Sequence, residues 1–172
     1  IMNLHRISIS NILWPKGKSN LETFFFNLHN NGINAVELAL NCFWDEPTSI
    51  DDQEILWLNK LLKKYKIELC SIQSITHTRP DLELFKDKHS LNNVINYIKK
   101  YSNITKKLEC KNIVLGSPKS RITYNKNKNN LDKIFKDFLR EIDPFFEGVN
   151  FNIEPLSKKY CNYLNSYIEG VS

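Results

Sequence analysis

Asn112-Ile113-Val114-Leu115-Gly116-Ser117-Pro118-Lys119 is the stretch on which the fold turns. A short β-branched, apolar run breaks into Gly, Ser and Pro, the pattern of a buried strand that ends in a polar turn. On its upstream side, 89–110 carries Leu91, Val94, Ile95, Ile98, Ile104 and Leu108 at helical spacing. Downstream, 131–146 does the same with Ile134, Phe135, Phe138, Leu139 and Ile142, and 117–130 between reads as a loop. A strand with a helix on either side is the repeating unit of a parallel sheet.

The pattern continues outward in both directions. Phe151–Glu154 is a further strand. Glu68–Ile75 is another, and before it Asp51 and Asp52 open a helix that runs to about Tyr65. Acidic residues in the first turn and Lys63, Lys64 and Lys66 near the end suit the helix dipole. Ala35–Leu40 is a strand, and 21–31 is a helix with Leu21, Phe24, Phe25 and Leu28 on one side and Gly32 at its C-terminal cap. Residues 4–13 alternate apolar and polar, which predicts a first strand. The order β-α-β-α-β-α-β-α-β implies parallel strands joined by helical crossovers, either an open doubly wound sheet or part of a (β/α)-barrel. A complete barrel of eight units takes about 250 residues, so 172 residues hold about five units, as a single partial barrel domain spanning 1–172. Both ends read as cuts in a longer frame. Five unclosed strands predict marginal stability, aggregation or pairing with a second copy as a homo-oligomer.

Composition narrows the classes. No run approaches the ~20 apolar residues of a membrane span, and no signal-peptide core is present, which points to the cytoplasm. The formal charge of +5 is spread over the surface. A nucleic-acid groove needs a basic face with Arg or aromatic readers, whereas the arginines are only Arg6, Arg79, Arg121 and Arg140, so nucleic acid is disfavoured as a partner. Cys42, Cys70, Cys110 and Cys161 form no CxxC pair and read as free thiols. Dinucleotide, P-loop, zincin and α/β-hydrolase signatures are missing.

In either architecture chemistry sits at the C-terminal ends of the strands, and every such end here is polar. Glu154 follows Phe151 and Ile153, which should face helices, so Asn152 and Glu154 point to the barrel mouth. A carboxylate buried there must be paired, protonated or metal-bound, because an unpaired buried charge is costly. It serves as a hard-metal ligand or as a proton acceptor beside a carbonyl, or it pairs with a nearby Lys or Arg. Glu37 is on an inward phase and either binds substrate or braces the barrel. Gln73 ends the third strand, with His77 beyond it as a metal ligand, an acid/base or a surface residue. Ser117, Lys119 and Arg121 follow the fourth strand, and the two cations could hold a phosphate or carboxylate or simply be exposed. Tyr160, Cys161 and Asn162 could wall the same pocket. Phe24, Phe25, Trp57, Phe135 and Phe138 read as core.

Five ordered segments resemble the xylose isomerase-like TIM-barrel family of sugar phosphate isomerases and epimerases. They are Ile7–Ile12 with Trp14-Pro15, Val36–Ala39 with Trp44, Ser71–Ser74 with Arg79–Leu82, Asn112–Lys119 with Arg121, and Ile153–Pro155 with Tyr160–Asn162. The resemblance implies a divalent metal, Mn²⁺ or Mg²⁺ with Zn²⁺ as the alternative, that assists proton transfer next to the carbonyl of a sugar or polyol. By the same analogy Glu154 is the metal ligand supplied by the fifth strand. From their places at the strand ends, Glu154 is also read as catalytic and Glu37, Gln73, His77, Ser117, Lys119, Arg121 and Asn162 as substrate contacts. The family's other ligands come mainly from later strands, which this sequence does not reach, so the chain alone is expected to be inactive. Thr76-His77-Thr78 and Leu156-Ser157 depart from the family pattern and leave the substrate open. Two other readings stand beside this one. An apurinic endonuclease-like DNA repair enzyme on the same fold would need His and Glu at early strand ends, and the second and fourth ends offer no His and no terminal Glu. A non-catalytic barrel binding module has no need of polar strand ends.

Overall fold

The computed structural model describes residues 7–171. Five parallel strands, β1 (Ile9–Ser10), β2 (Ala35–Leu38), β3 (Glu68–Ile72), β4 (Asn112–Leu115) and β5 (Asn150–Ile153), form one sheet in the order β1-β2-β3-β4-β5. Between them run α1 (Ser19–Asn30), α2 (Asp52–Lys64), α3 (Lys88–Lys107) and α4 (Lys128–Ile142), and α5 (Tyr167–Val171) follows β5.

The strand order decides between the two architectures left open above. A doubly wound sheet reverses its order at a switch point. Here each strand sits beside its predecessor, and right-handed crossovers then put every helix on one face. The result is singly wound, an incomplete barrel of five β/α units with β1 and β5 as edges.

Helix faces fill the layer outside the sheet. Leu21, Phe24, Phe25 and Leu28 of α1 are buried, as are Ile55, Leu58, Leu61 and Leu62 of α2 and Leu131, Phe135, Phe138 and Ile142 of α4. They meet Val36, Leu38, Ile72, Ile113 and Leu115 from the strands in one apolar cluster. Val36 pairs with Leu69 but Glu37 with Ser71, so Cys70 is an extra residue in β3. That bulge lets Leu69 and Ile72 both be buried although they are three residues apart, while Ser71 takes the opposite face with Glu37. Side chains cap three helices: Asp51 accepts from Glu54 N (2.8 Å), Asp87 from Ser90 N (2.8 Å) and Asn127 from Asn130 N (3.0 Å).

Four expectations need correction. The first strand is two residues long rather than ten, and Leu4 lies outside the described residues. The Asn11 side chain ends the ladder: Oδ1 accepts from Ala39 N (2.6 Å) and Nδ2 donates to Ala39 O (3.2 Å). The chain then turns outward, leaving Leu13 95% exposed. The fourth helix stops at Ile142 and tightens into a 3-10 turn, Asp143–Phe146, because Pro144 cannot continue an α-helix. The stretch 117–130 contains a 3-10 turn, Lys119–Arg121, and the start of α4. Trp57 is half-buried rather than core, its ring 6.2 Å from Trp44 and 5.1 Å from the Lys18 ammonium.

Candidate functional site at the strand ends

Alternation within each strand turns apolar residues to the helices and leaves the opposite face of the sheet largely polar, with Val114 an apolar exception in β4. Ser10, Glu37 and Ser71 lie in register across β1, β2 and β3, and Asn112 and Asn150 across β4 and β5. Hydrogen bonds tie this row together. Ser71 donates to the Glu37 carboxylate, Gln73 donates to Ser10 Oγ, and Asn150 Nδ2 donates to Asn112 Oδ1 (3.0 Å). Glu37 and Gln73 are therefore half-buried members of a polar network on the inner face, each already holding a protein partner.

Above this row the chain gathers unsatisfied polar atoms. Buried side-chain atoms without a hydrogen-bond partner include Asn41 Oδ1 beyond β2, and Ser117 Oγ, Arg121 Nε and Arg121 Nη1 beyond β4. Each such group costs on the order of 1–3 kcal/mol, and these all follow strand C-termini, where barrels bind their ligands.

Glu154 immediately follows β5. Its N–H donates to Leu115 O (3.1 Å), which extends the β4–β5 ladder. Its side chain is exposed, as β5 alternates between the helix side and open space, and among the described residues it makes no ion pair. Phe151 of the same strand packs against Phe138 and Phe146, ring centroids 6.3 and 5.2 Å away, so the inward phase read for Glu154 holds. The expectation of a buried, neutralised carboxylate does not. Glu154 lies across Gly116: a Cβ on that glycine would stand 1.9 Å from Glu154 Oε2.

Arg121 is the largest departure. Read as a loop cation, it is 0% exposed, held within the 3-10 turn after β4. Nη2 donates to the Glu154 carbonyl (2.9 Å) and its other two nitrogens have no partner. Burial pushes the guanidinium below its ordinary pKa, opposed by Cys161, Glu154 and Tyr163. Arg121 and Asn162 line one cleft of about 330 Å³, together with Pro118, Asn125, Lys158 and Tyr160. Lys119 and His77 are exposed and stand outside that lining. Arg79, also near a strand end, is occupied elsewhere: it pairs with Asp81 (2.7 Å) and Glu46 (3.3 Å) and covers the Tyr97 ring.

The donor set for a metal is partial. Among the described residues no group of three His, Cys, Asp or Glu side chains could hold an ion. Magnesium takes about six oxygen donors, and a single carboxylate such as that of Glu154 would be one of them. The roles of Gly116 and of Asn11 went unread in the sequence. No local signal marks either, because each depends on a residue 28 or more positions away.

No protein-family model matches the chain, and no curated protein sequence matches it significantly. Solved structures do match. A D-psicose 3-epimerase crystallised in the presence of D-fructose superposes with a TM-score of 0.75 at 19% identity, over 95% of this chain and 57% of that one. The D-psicose 3-epimerase of Clostridium cellulolyticum H10 with D-tagatose gives a TM-score of 0.76 at 19% identity, over 95% and 57%. The IOLI protein with a bound zinc atom gives 0.72 at 16%, over 95% and 55%. The chain thus spans little more than half the length of these proteins. Its five β/α units have the fold of the xylose isomerase-like TIM barrels, the superfamily of its structural neighbours.

Proposed function

We propose that this chain supplies one wall of an isomerase or epimerase site that moves a proton next to the carbonyl of a sugar. The observation that carries the reading is Glu154: a carboxylate without an ion pair, at a strand C-terminus, laid over a glycine beside buried, unsatisfied donors. Support also comes from neighbours crystallised with D-fructose and D-tagatose, which makes ketohexoses the first substrates to try.

Glu154 accepts or returns the proton α to the carbonyl. Gln73, Glu37 and Ser10 offer hydroxyl-matching donors and acceptors on the inner face, and Ser117 and Arg121 offer unused donors. A divalent cation, when bound, would polarise the carbonyl oxygen and stabilise negative charge developing there. Glu154 would be one of its ligands, and a single carboxylate holds such an ion weakly.

The test is site-resolved. Mn²⁺ is added to the isotopically labelled chain, and paramagnetic broadening of amide signals is followed. Broadening should concentrate at 115–117, 153, 154 and 156 ahead of exposed carboxylates such as Asp52 and Glu147, and Glu154→Gln should remove it. Broadening scattered over surface carboxylates and unchanged by Glu154→Gln overturns the reading.

A further inference from the structure

Everything that fixes Glu154 comes from one short segment, 115–121. Leu115 O accepts from its N–H (3.1 Å), Arg121 Nη2 donates to its carbonyl (2.9 Å), and Gly116 lies beneath its carboxylate. Gly116 does not occupy the left-handed region of backbone space, so its conformation is open to any residue. What demands a glycine is the side chain above it. A Cβ would meet Glu154 Oε2 at 1.9 Å and Glu154 Cδ at 3.1 Å, so the carboxylate would have to swing away.

Arg121 shows the same economy from the other side. A structural arginine buried at 0% exposure would be expected to have its nitrogens satisfied. This one spends a single bond on a backbone carbonyl and leaves Nε and Nη1 unpartnered. That bond joins the turn after β4 to the residue that carries the carboxylate.

We propose that Gly116 and Arg121 are positioning residues for Glu154. The glycine provides the space in which the carboxylate lies, and the arginine clamps the backbone from which it projects. The inference rests on the reading of Glu154 as the working carboxylate of the site, and the closing experiment separates the two.

Gly116→Ala, Arg121→Lys and Glu154→Gln are compared with the parent in thermal melting and in Mn²⁺ broadening of the amides at 115–117, 153, 154 and 156. Mn²⁺ serves as a reporter of where the carboxylate stands. Gly116→Ala should melt as the parent does, since the obstructing atoms belong to the free end of a flexible side chain, yet need about 10-fold more Mn²⁺ for the same broadening, the usual effect of losing a supporting contact. Arg121→Lys keeps the charge but not the planar fork and should weaken broadening in the same direction. If Glu154→Gln abolishes broadening while Gly116→Ala behaves as the parent, the positioning role is wrong and the Glu154 reading survives. If Glu154→Gln changes nothing, both fall. Should Arg121→Lys fail to fold, Gly116→Ala decides alone, because it leaves the backbone and the core untouched.

Discussion

Replacement of Arg121 by methionine should leave the fold about as stable as before, although Arg121 is the largest fully buried side chain. The structure supplies both sides of the balance. Arg121→Met removes one hydrogen bond from a charged donor, Nη2 to Glu154 O at 2.9 Å, worth about 1.5–3 kcal/mol. The carbonyl it abandons belongs to an exposed residue, so water can replace the donor and the cost falls toward the lower end. The substitution also relieves two buried nitrogens without partners, each a penalty of about 1–3 kcal/mol, and removes a buried charge. Methionine fills most of the same volume with a flexible stem. At the unfavourable ends of these ranges the fold loses no more than about 1 kcal/mol, and elsewhere relief matches or exceeds the loss, so stabilisation is the favoured sign. Urea denaturation followed by tryptophan fluorescence measures it from the shift in midpoint at constant slope. A loss greater than about 3 kcal/mol, the size expected on breaking a satisfied buried pair, would refute the reasoning: the guanidinium would then have partners, such as trapped water, and its burial would be a structural asset.

Three further outcomes test other parts of the structure. Lys66 and Glu109 sit in left-handed backbone at φ 53° and 54° just after α2 and α3, the position Gly32 fills after α1 at φ 71°. Lys66→Gly or Glu109→Gly should therefore raise stability by about 0.5–1 kcal/mol each, read from the same denaturation midpoint. Burial pushes the Cys110 thiol up to about 11. Iodoacetamide at pH 8 should leave it unmodified, as peptide mass spectrometry would show, with labelling of the folded chain rising only as the pH approaches that value. The Asp87 carboxylate holds Ser90 N at 2.8 Å at the start of α3, and Asp87→Ala should cost about 1 kcal/mol in thermal or urea unfolding.

Much of the architecture was legible because periodicity reports burial directly. Leu131, Phe135, Phe138 and Ile142 recur every three or four residues and are the buried stripe of α4. Glu37 between Val36 and Leu38 shows its phase without any structure at hand. The illegible parts share one cause: their meaning is set by residues distant in sequence. The alternation in 4–13 looks like a long strand, but Asn11 closes the ladder by bonding Ala39 across 28 positions. Arg121 looks like any loop cation until the segment through Tyr163 closes over it. Ser117-Pro118 marks the end of a strand, yet nothing nearby tells that Gly116 must stay small for a glutamate 38 residues later. Glu154 itself was found by position, but the expectation that burial would neutralise it failed, since the face it occupies is open.

That open face differs in composition from the interior of a closed barrel. In a complete barrel the interior is packed with layers of largely branched apolar side chains, and such a lining exposed to water would drive association. Here the exposed face carries Ser10, Glu37, Ser71, Asn112, Asn150 and Asn152 with Val114 among them, and hydrogen bonds join Ser71 to Glu37 and Asn150 to Asn112. The apolar side chains go to the helix side, where Val36, Leu38, Ile113 and Leu115 are all inaccessible. A face of this kind costs little when wet and offers alternating donors and acceptors along its length, which is the chemistry that matches a polyol. On the proposed reading, the polarity that makes the inner wall tolerable in water also suits a polyhydroxylated substrate, while the orphaned nitrogens of Arg121 and the carboxylate of Glu154, unpaired among the described residues, mark the rim. Fold and site therefore draw on one pattern, and the rim is where they compete.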